Sequence, residues 1–289
     1  MPDNRLSVHK TYKLYLGGSF PRSESGRSYV VNGHDGKLLA NAALASRKDV
    51  RDAVVAARKA QPGWAGATAY LRGQVLYRAA EMLEGRHGQF VDTLVAGDGL
   101  SPEAAAVAVD QAIDRLVWYA GWSDKFAQVA GSANPVAGPY FDFSIPEPTG
   151  VVGVLAPPGS SLLGLVSVVA PVITTGNTAV VVAAEERPLP ALDFAEVLAT
   201  SDLPAGVVNI LTGRVAELAP VLAAHRDVDA LDLAGAPEGL EADLEEAAAD
   251  NVKRVLRRPY PDPDWSKEPS PARMLSFVEI KTVWHPVGV

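Results

Sequence analysis

The side chains in this sequence that could take part in catalysis are mainly hydroxyls and carboxylates, because the chain contains no cysteine. Without cysteine there is no thiolate nucleophile, no thiolate metal ligand and no redox pair. Ser160 and Ser161 lie at a predicted strand-to-helix turn, but no Gly-x-Ser-x-Gly elbow surrounds them and no paired His or acid supports them. We therefore predict that they cap the next helix.

Glu185 and the histidines are the remaining candidates for a site. Glu185 ends a predicted strand, where its carboxylate could bind a ribose, but Glu186 and Arg187 follow it, as on an ordinary solvated surface. The histidines are scattered and show no metal-ligand spacing, so we predict no metal site. They are His9, His34, His87, His225 and His285.

Composition argues against a nucleic-acid-binding protein and against a membrane protein. The 289 residues carry 26 basic and 34 acidic side chains, a formal net charge of -8, and no basic stripe, which argues against nucleic-acid binding. The longest apolar stretch, 162–173, is interrupted by Gly and Pro and is shorter than the roughly 20 residues that span a bilayer. Residues 1–13 lack the apolar core of a signal peptide. We expect no membrane association and a cytoplasmic location.

The N-terminal half is predicted to contain short strands and then helices. Residues 13–29 contain alternating stretches and glycine turns, which indicate a hairpin-like segment. Apolar residues at helical spacing predict a helix over Arg47–Gln61, capped by Ser46 or Asp49 and stopped by Pro62-Gly63.

Two further long helices and one irregular segment follow. Helical spacing recurs over Tyr70–Leu94 and Pro102–Ala127, and the aromatic residues within 118–122 fit core packing. Residues 131–148 are rich in Gly, Pro and aromatic side chains, which predicts a loop or an edge strand. These helices form a predicted layer over residues 47–128.

Beyond residue 149, strands alternate with helices. Near-continuous apolar, β-branched runs are typical of strands buried on both faces of a parallel sheet. The sequence therefore predicts an α/β fold with a doubly wound parallel sheet. The predicted elements are strands 151–155, 178–182, 207–211, 228–233 and 252–256 and helices 162–174, 189–199, 215–224 and 238–249.

The last part of the chain combines a proline-rich linker with a strand. Residues 257–273 contain closely spaced prolines and charges that continue neither a helix nor a central strand. Residues 274–284 alternate apolar and polar side chains, as in an exposed strand. A lone strand needs a sheet to join.

Several motifs, in order, resemble those of the NAD-dependent aldehyde dehydrogenases. They are Leu14-Tyr15-Leu16-Gly17-Gly18, Trp118-Tyr119-Ala120-Gly121-Trp122-Ser123-Asp124-Lys125, Glu147-Pro148-Thr149-Gly150-Val151-Val152-Gly153-Val154, Gly176-Asn177-Thr178, Leu203-Pro204-Ala205-Gly206-Val207-Val208-Asn209, the run from His225 to Asp229, Asn251-Val252-Lys253-Arg254-Val255 and Phe277-Val278-Glu279-Ile280-Lys281-Thr282-Val283. The resemblance covers residues 13–256 and resumes at the last motif, which is similar to the family's C-terminal oligomerisation strand.

The resemblance implies that the catalytic domain is replaced by the linker. The family uses a Cys nucleophile, an oxyanion Asn and a general-base Glu. Here there is no Cys, the Asn position holds Gly159, and the Glu position falls near Arg258. We predict no catalytic residues.

The cofactor contacts implied by the resemblance are also incomplete. The ribose-binding Glu is kept as Glu185, whereas the Lys position holds Val182. The Gly-x-Gly turn keeps Gly213 but has Val215 in second place, and Thr-Gly-Ser becomes a run in which Gly235 lies between two alanines. Glu185, Gly213 and Gly235 are the residual cofactor-binding candidates, with NAD binding absent or weak.

We therefore expect a Rossmann-like doubly wound sheet of the aldehyde dehydrogenase type with a helical N-terminal layer and a small β oligomerisation module, built from the N-terminal strands and the C-terminal strand. The segments are 1–130 with the first strands and the helical layer, 131–148 for oligomerisation, 149–256 for the cofactor domain, 257–273 as linker and 274–289 as oligomerisation strand. The predicted oligomerisation residues are Phe277, Ile280, Lys281, Thr282 and Val283.

Two functions remain open at this stage. The first is a pseudoenzyme that pairs with a full-length NAD-dependent aldehyde dehydrogenase through its C-terminal strand, or that self-associates. The alternative is a residual NAD(P)-binding protein or atypical oxidoreductase that uses the crevice at the carboxyl ends of the strands.

Overall fold

The computed structural model describes residues 8–259 and 261–288. Residues 1–7, Tyr260 and Val289, which belong to the predicted N-terminal segment, linker and C-terminal strand, lie outside the described residues. In chain order the elements are β1 (Thr11–Tyr12), β2 (Ser28–Asn32), β3 (Leu38–Ala43), α1 (Arg47–Ala65), α2 (Ala69–Glu84), α3 (His87–Asp98), α4 (Pro102–Trp122), α5 (Phe126–Ala130), β4 (Ser132–Asn134), β5 (Tyr140–Pro148), β6 (Val151–Leu155), α6 (Leu163–Thr174), β7 (Thr178–Val182), α7 (Leu189–Leu198), β8 (Val208–Leu211), α8 (Val215–Ala223), β9 (Ala230–Asp232), α9 (Glu241–Ala249), β10 (Arg254–Leu256), α10 (Ala272–Leu275) and β11 (Val278–Pro286).

The central feature is a five-stranded parallel sheet in the order β10-β9-β6-β7-β8. Strands β6, β7 and β8 are buried along their whole length, as their apolar sequences predict. One core packs α2, α4, α6 and α7 on one face, and a second packs α1, α8 and α9 on the other. The predicted doubly wound α/β fold is therefore confirmed. The chain adds β7 and β8 on one side of β6 and then β9 and β10 on the other side, so the switch point of the sheet lies between β6 and β9.

The helical layer follows the sequence except at two boundaries. Ser46 caps α1 as predicted, but the helix continues through Pro62-Gly63 to Ala65, so the predicted stop is wrong. The last turn is held by tertiary contact, because Trp64 is fully buried and its Nε1 donates to the Ile173 carbonyl at 2.8 Å. The predicted helix 70–94 is in fact α2 and α3, since Gly85 ends the first of them.

Two small sheets flank the central one. Strands β1, β2 and β3 form a sheet of their own, and Val31 and Ala42 pack against Leu189 of α7. The N-terminal strands therefore do not belong to the module that contains the C-terminal strand, and the expectation of one module built from both is wrong. That module is the sheet β11-β5-β4, which we call the arm sheet.

The arm sheet corrects the edge-strand prediction for 131–148. Strand β5 is its central strand, because β4 pairs with one side and β11 pairs antiparallel with the other over nine residue pairs, from Val278 opposite Pro148 to Pro286 opposite Tyr140. No local pattern in 131–148 reveals a partner so distant in sequence. Strand β11 is an outer strand of the sheet, and seven of its nine residues are exposed.

One buried side chain joins the arm sheet to the central sheet. Asn177, which precedes β7, is fully buried; its Oδ1 accepts from the Gly150 amide at 2.7 Å and its Nδ2 donates to the Phe277 carbonyl at 2.8 Å. Gly150 lies between β5 and β6, and Phe277 immediately precedes β11. The end of β5 and the start of β11 are therefore held beside the same amide group.

Among the described residues, no helix combines the length and apolar character needed to span a bilayer. The same part of the chain contains no group of three or more His, Cys, Asp or Glu side chains arranged to hold a metal ion.

Candidate functional site

The carboxyl ends of β6 and β9 are where a doubly wound sheet ordinarily binds its ligand. Here the loops that follow these strands are in direct contact. The Gly235 amide donates to the Leu155 carbonyl at 2.9 Å, and a Cβ added at Gly235 would overlap the Ala156 carbonyl oxygen. Gly235 thus permits a close approach of two backbones, and Ala234 and Ala236 beside it offer no hydroxyl donor.

Glu185 follows β7, and both of its carboxylate oxygens already have partners. Oε1 pairs with the Arg214 guanidinium at 2.5 Å, and Oε2 accepts from the Val215 amide at 3.0 Å. Val215 is the first residue of α8, so Glu185 places a negative charge at the N-terminus of that helix. The carboxylate therefore acts as a cap within the fold.

The neighbouring candidate positions leave little for a ligand to bind. Gly213 has a φ of +148°, a conformation that glycine adopts readily, and a Cβ there would approach the Ala45 amide nitrogen at 3.2 Å. Val182, at the position where the resemblance implies a Lys, is only 1% exposed within β7. An apolar side chain in the sheet offers no hydrogen bond.

The positions implied for catalysis carry no reactive arrangement. A Cβ added at Gly159 would meet nothing within 4 Å, so its side-chain position is open space. Ser160 Oγ accepts from the Gly164 amide at 2.9 Å in the first turn of α6, as the capping prediction expected, whereas Ser161 Oγ donates to Asp98 at 2.7 Å. Arg258 donates to the Ala236 carbonyl at 3.3 Å and cannot act as a general base.

A charged cluster at the end of β9 was not predicted from the sequence. Asp232 is fully buried and pairs with Arg273, whose guanidinium carbon lies 5.4 Å from the centre of the Trp265 ring. Burial raises the pKa of the Asp232 carboxyl, while Arg273 opposes that shift. The sequence feature that could have revealed this cluster is an Asp inside the apolar run 228–233, because a buried charge requires a partner.

A second guanidinium fixes the linker over this cluster. Arg115 of α4 is 8% exposed; it donates to Ser167 Oγ at 2.9 Å and to the carbonyls of Trp265 and Lys267 at 2.8 and 2.9 Å. The proline-rich linker is therefore packed against α4, α6 and the end of β9. The described residues of the linker form coil, as predicted, apart from the start of the short helix α10.

The predicted oligomerisation residues divide into two groups. Phe277 is fully buried in the core beneath the sheet, so its side chain has no exposed surface to offer a partner. The other four lie on β11, where Val283 is half-buried and three are exposed: Ile280, Lys281 and Thr282. Their role in association stays a prediction.

Comparison with known proteins assigns this architecture. The model of the aldehyde dehydrogenase family matches residues 20–257. The chain belongs to the aldehyde dehydrogenase family. It is 33% identical over 260 residues to an aldehyde dehydrogenase, cytosolic 1, of Elephantulus edwardii, covering 88% of this chain and 51% of that protein. It is also 33% identical over 260 residues to the cytosolic 10-formyltetrahydrofolate dehydrogenase of Mus musculus, covering 87% of this chain and 28% of that protein.

Solved aldehyde dehydrogenases share the fold. An aldehyde dehydrogenase from Bacillus cereus, solved as an NAD+ complex, superposes with a TM-score of 0.79 at 25% identity, over 85% of this chain and 50% of that one. The chain thus spans about half the length of such relatives, or less. The sequence resemblance and the predicted Rossmann-like sheet of the aldehyde dehydrogenase type are confirmed.

The residues at the implied cofactor site do not fit a dinucleotide well. The Glu185 carboxylate, which the resemblance implies would bind a ribose, is already shared between Arg214 and the Val215 amide, and Ala234 and Ala236 beside Gly235 carry no hydroxyl donor. A cofactor would have to displace the contacts of Glu185 and gain little in return.

Proposed function

We propose that this chain is a non-catalytic member of the aldehyde dehydrogenase family that serves as a structural or regulatory subunit of a full-length NAD-dependent aldehyde dehydrogenase. The observation that carries the proposal is the contrast between the two ends of the fold. At the cofactor crevice the Glu185 carboxylate and the Gly235 amide are engaged by internal contacts, whereas the outer edge of β11 is exposed.

This chain lacks the chemical groups that aldehyde oxidation requires. Aldehyde oxidation by a thiolate enzyme needs a nucleophile, an oxyanion donor and a base. The sequence has no cysteine, Gly159 lies at the oxyanion position, and the basic residue Arg258 lies near the general-base position. A contribution to aldehyde oxidation would therefore be made through a partner.

The proposed contact is addition of a strand to β11. Along an antiparallel strand, the backbone N–H and C=O groups of successive residues point alternately to one neighbouring strand and to the other side. Two hydrogen bonds show which residues of β11 face β5: the Thr149 amide donates to the Phe277 carbonyl, and the Val287 amide donates to the Pro139 carbonyl. Residues 277 and 287, and therefore the odd-numbered residues between them, direct their backbone groups toward β5. The even-numbered residues, including Ile280 and Thr282, direct theirs outward.

This phase gives a precise test. Deleting 274–289 would remove Met274 and Phe277, both fully buried, and would damage the fold itself. Ile280→Pro instead removes one outward N–H and leaves the ladder to β5 intact, since proline is tolerated on an edge strand with its nitrogen toward solvent. Ile280→Ala is the matched control, because it shortens the same side chain and keeps the N–H.

The experiment begins with affinity capture from the native organism, to identify an aldehyde dehydrogenase that associates stoichiometrically. The two purified proteins are then mixed and measured by native mass spectrometry. We expect the wild type and Ile280→Ala to form the complex and Ile280→Pro to lose it. If no aldehyde dehydrogenase associates, or if Ile280→Pro binds as tightly as Ile280→Ala, the proposal is wrong.

The alternative, a residual NAD(P)-binding protein, predicts a calorimetric titration with NAD or NADP that saturates below millimolar ligand and is weakened by Glu185→Gln. The engaged carboxylate supports the opposite outcome, a flat titration.

A further inference from the structure

The outer edge of β11 is complementary to itself. Among residues 8–259 and 261–288, no strand pairs with this edge. Its even-numbered residues present unpaired backbone groups, and an exposed, regular strand of this kind is a template for pairing with another chain. Two-fold symmetry places identical patches against each other, so two β11 strands related by such an axis run antiparallel.

The sequence of β11 selects one register. A two-fold axis at Thr282 overlaps all nine residues of both strands and matches outward-directed residues with one another. It places Ile280, 51% exposed, opposite Trp284, 59% exposed, in two symmetry-related apolar pairs, and Lys281 opposite Val283. Each apolar cross-strand pair contributes a few tenths of a kcal/mol up to about 1 kcal/mol.

A neighbouring register is less favourable. Moving the two-fold axis to Lys281 keeps the backbone phase but sets Lys281 directly opposite its own copy. Like charges in that position destabilise a strand pair. It also aligns Ile280 with Thr282, so the apolar pair with Trp284 is lost.

We propose that the free chain forms a homodimer by antiparallel pairing of two β11 strands about Thr282, which joins the two arm sheets into one six-stranded sheet. The occupant of the exposed edge is therefore a second copy of this chain. This inference deepens the proposed function at the same strand: the homodimer covers the edge that a full-length aldehyde dehydrogenase would need, so the two associations compete.

The absence of cysteine makes a direct test possible. In the proposed dimer, Thr282→Cys brings the two introduced thiols into a directly opposed pair about 5.5 Å apart between Cα atoms, within the range of a disulfide. His285→Cys is the control. Residue 285 is exposed on the same strand, but in the proposed register its copy is offset by six residues, so the two Cα atoms are about 20 Å apart.

We expect mild oxidation at micromolar protein to convert most of Thr282→Cys to a covalent dimer on a non-reducing gel, and at least tenfold less of His285→Cys. By native mass, the unmodified chain should be a dimer and Ile280→Pro a monomer. A monomeric wild type would overturn the proposal, as would equal cross-linking of the two cysteine variants or a dimer that persists in Ile280→Pro.

These results are independent of the partner enzyme. If the proposed function fails, no aldehyde dehydrogenase is captured, but Thr282→Cys still cross-links. If only the homodimer fails, Thr282→Cys does not cross-link, while Ile280→Ala still binds the enzyme and Ile280→Pro does not.

Discussion

Removing the positive partner of the buried Asp232 should destabilise the protein far more than removing both members of the pair. Asp232 is fully buried and Arg273 is 19% exposed, so neither charge is well hydrated. Breaking a buried pair costs about 3–5 kcal/mol, because one charge stays without a partner. For Arg273→Met we expect about 3 kcal/mol, at the lower end, since the Asp232 carboxyl can relieve its charge by taking up a proton.

The double variant Asp232→Leu, Arg273→Met should recover most of that loss. Replacing both members of a buried pair by apolar residues of similar volume is often neutral or stabilising. We expect its free energy of unfolding to lie within about 1 kcal/mol of the wild type, the remaining cost including the lost contact of Arg273 with Trp265. The two substitutions should thus be strongly non-additive.

The assay is urea unfolding at pH 7, followed by far-UV circular dichroism, with the slope of the transition compared among variants. Arg257→Met is the matched control, because Arg257 is 75% exposed in its pair with Glu245 and should cost under about 1 kcal/mol. A double variant as unstable as the sum of the two single variants would refute the reasoning.

Three further predictions use other groups. The wild type should lose stability relative to Asp232→Asn as the pH rises from the ordinary carboxyl pKa of 3.8 through the raised pKa of Asp232. The reason is that the folded protein holds the proton of the Asp232 carboxyl more tightly than the unfolded chain does. Urea unfolding at several pH values checks the direction of this change. Gly235→Ala should cost about 3 kcal/mol in urea unfolding, since its Cβ would overlap the Ala156 carbonyl, whereas Gly159→Ala should change stability by less than about 0.5 kcal/mol. Glu185→Ala should cost about 1 kcal/mol, through the lost cap of α8, with a smaller effect in high salt.

Much of the fold could be predicted from local sequence. Apolar runs place β6 and β7 at the observed residues, because strands buried on both faces leave an unambiguous pattern. The end of α1 could not be predicted in this way, since the turn after Pro62 depends on Trp64 reaching Ile173. The same limit applies to β5, whose second partner strand, β11, lies at least 130 residues away along the chain.

The candidate site could likewise be predicted from the sequence only in part. The absent cysteine and the changed residues at 159, 182 and 258 are visible in the sequence alone. The contacts of Glu185 are not, because they depend on how the turn before α8 approaches the end of β7. The Asp232 and Arg273 pair joins residues from different segments, so only the sequence position of a buried Asp pointed to it.

The buried amide of Asn177 has a mechanical consequence. Because the end of β5 and the start of β11 both hydrogen-bond to the Asn177 side chain, we expect that side chain to be the pivot of the arm sheet. A partner that pulls on β11 should load that amide and, through the Asn177 backbone, the start of β7 and the end of α6. We therefore expect a force applied at the arm sheet to reach the interior of the doubly wound sheet.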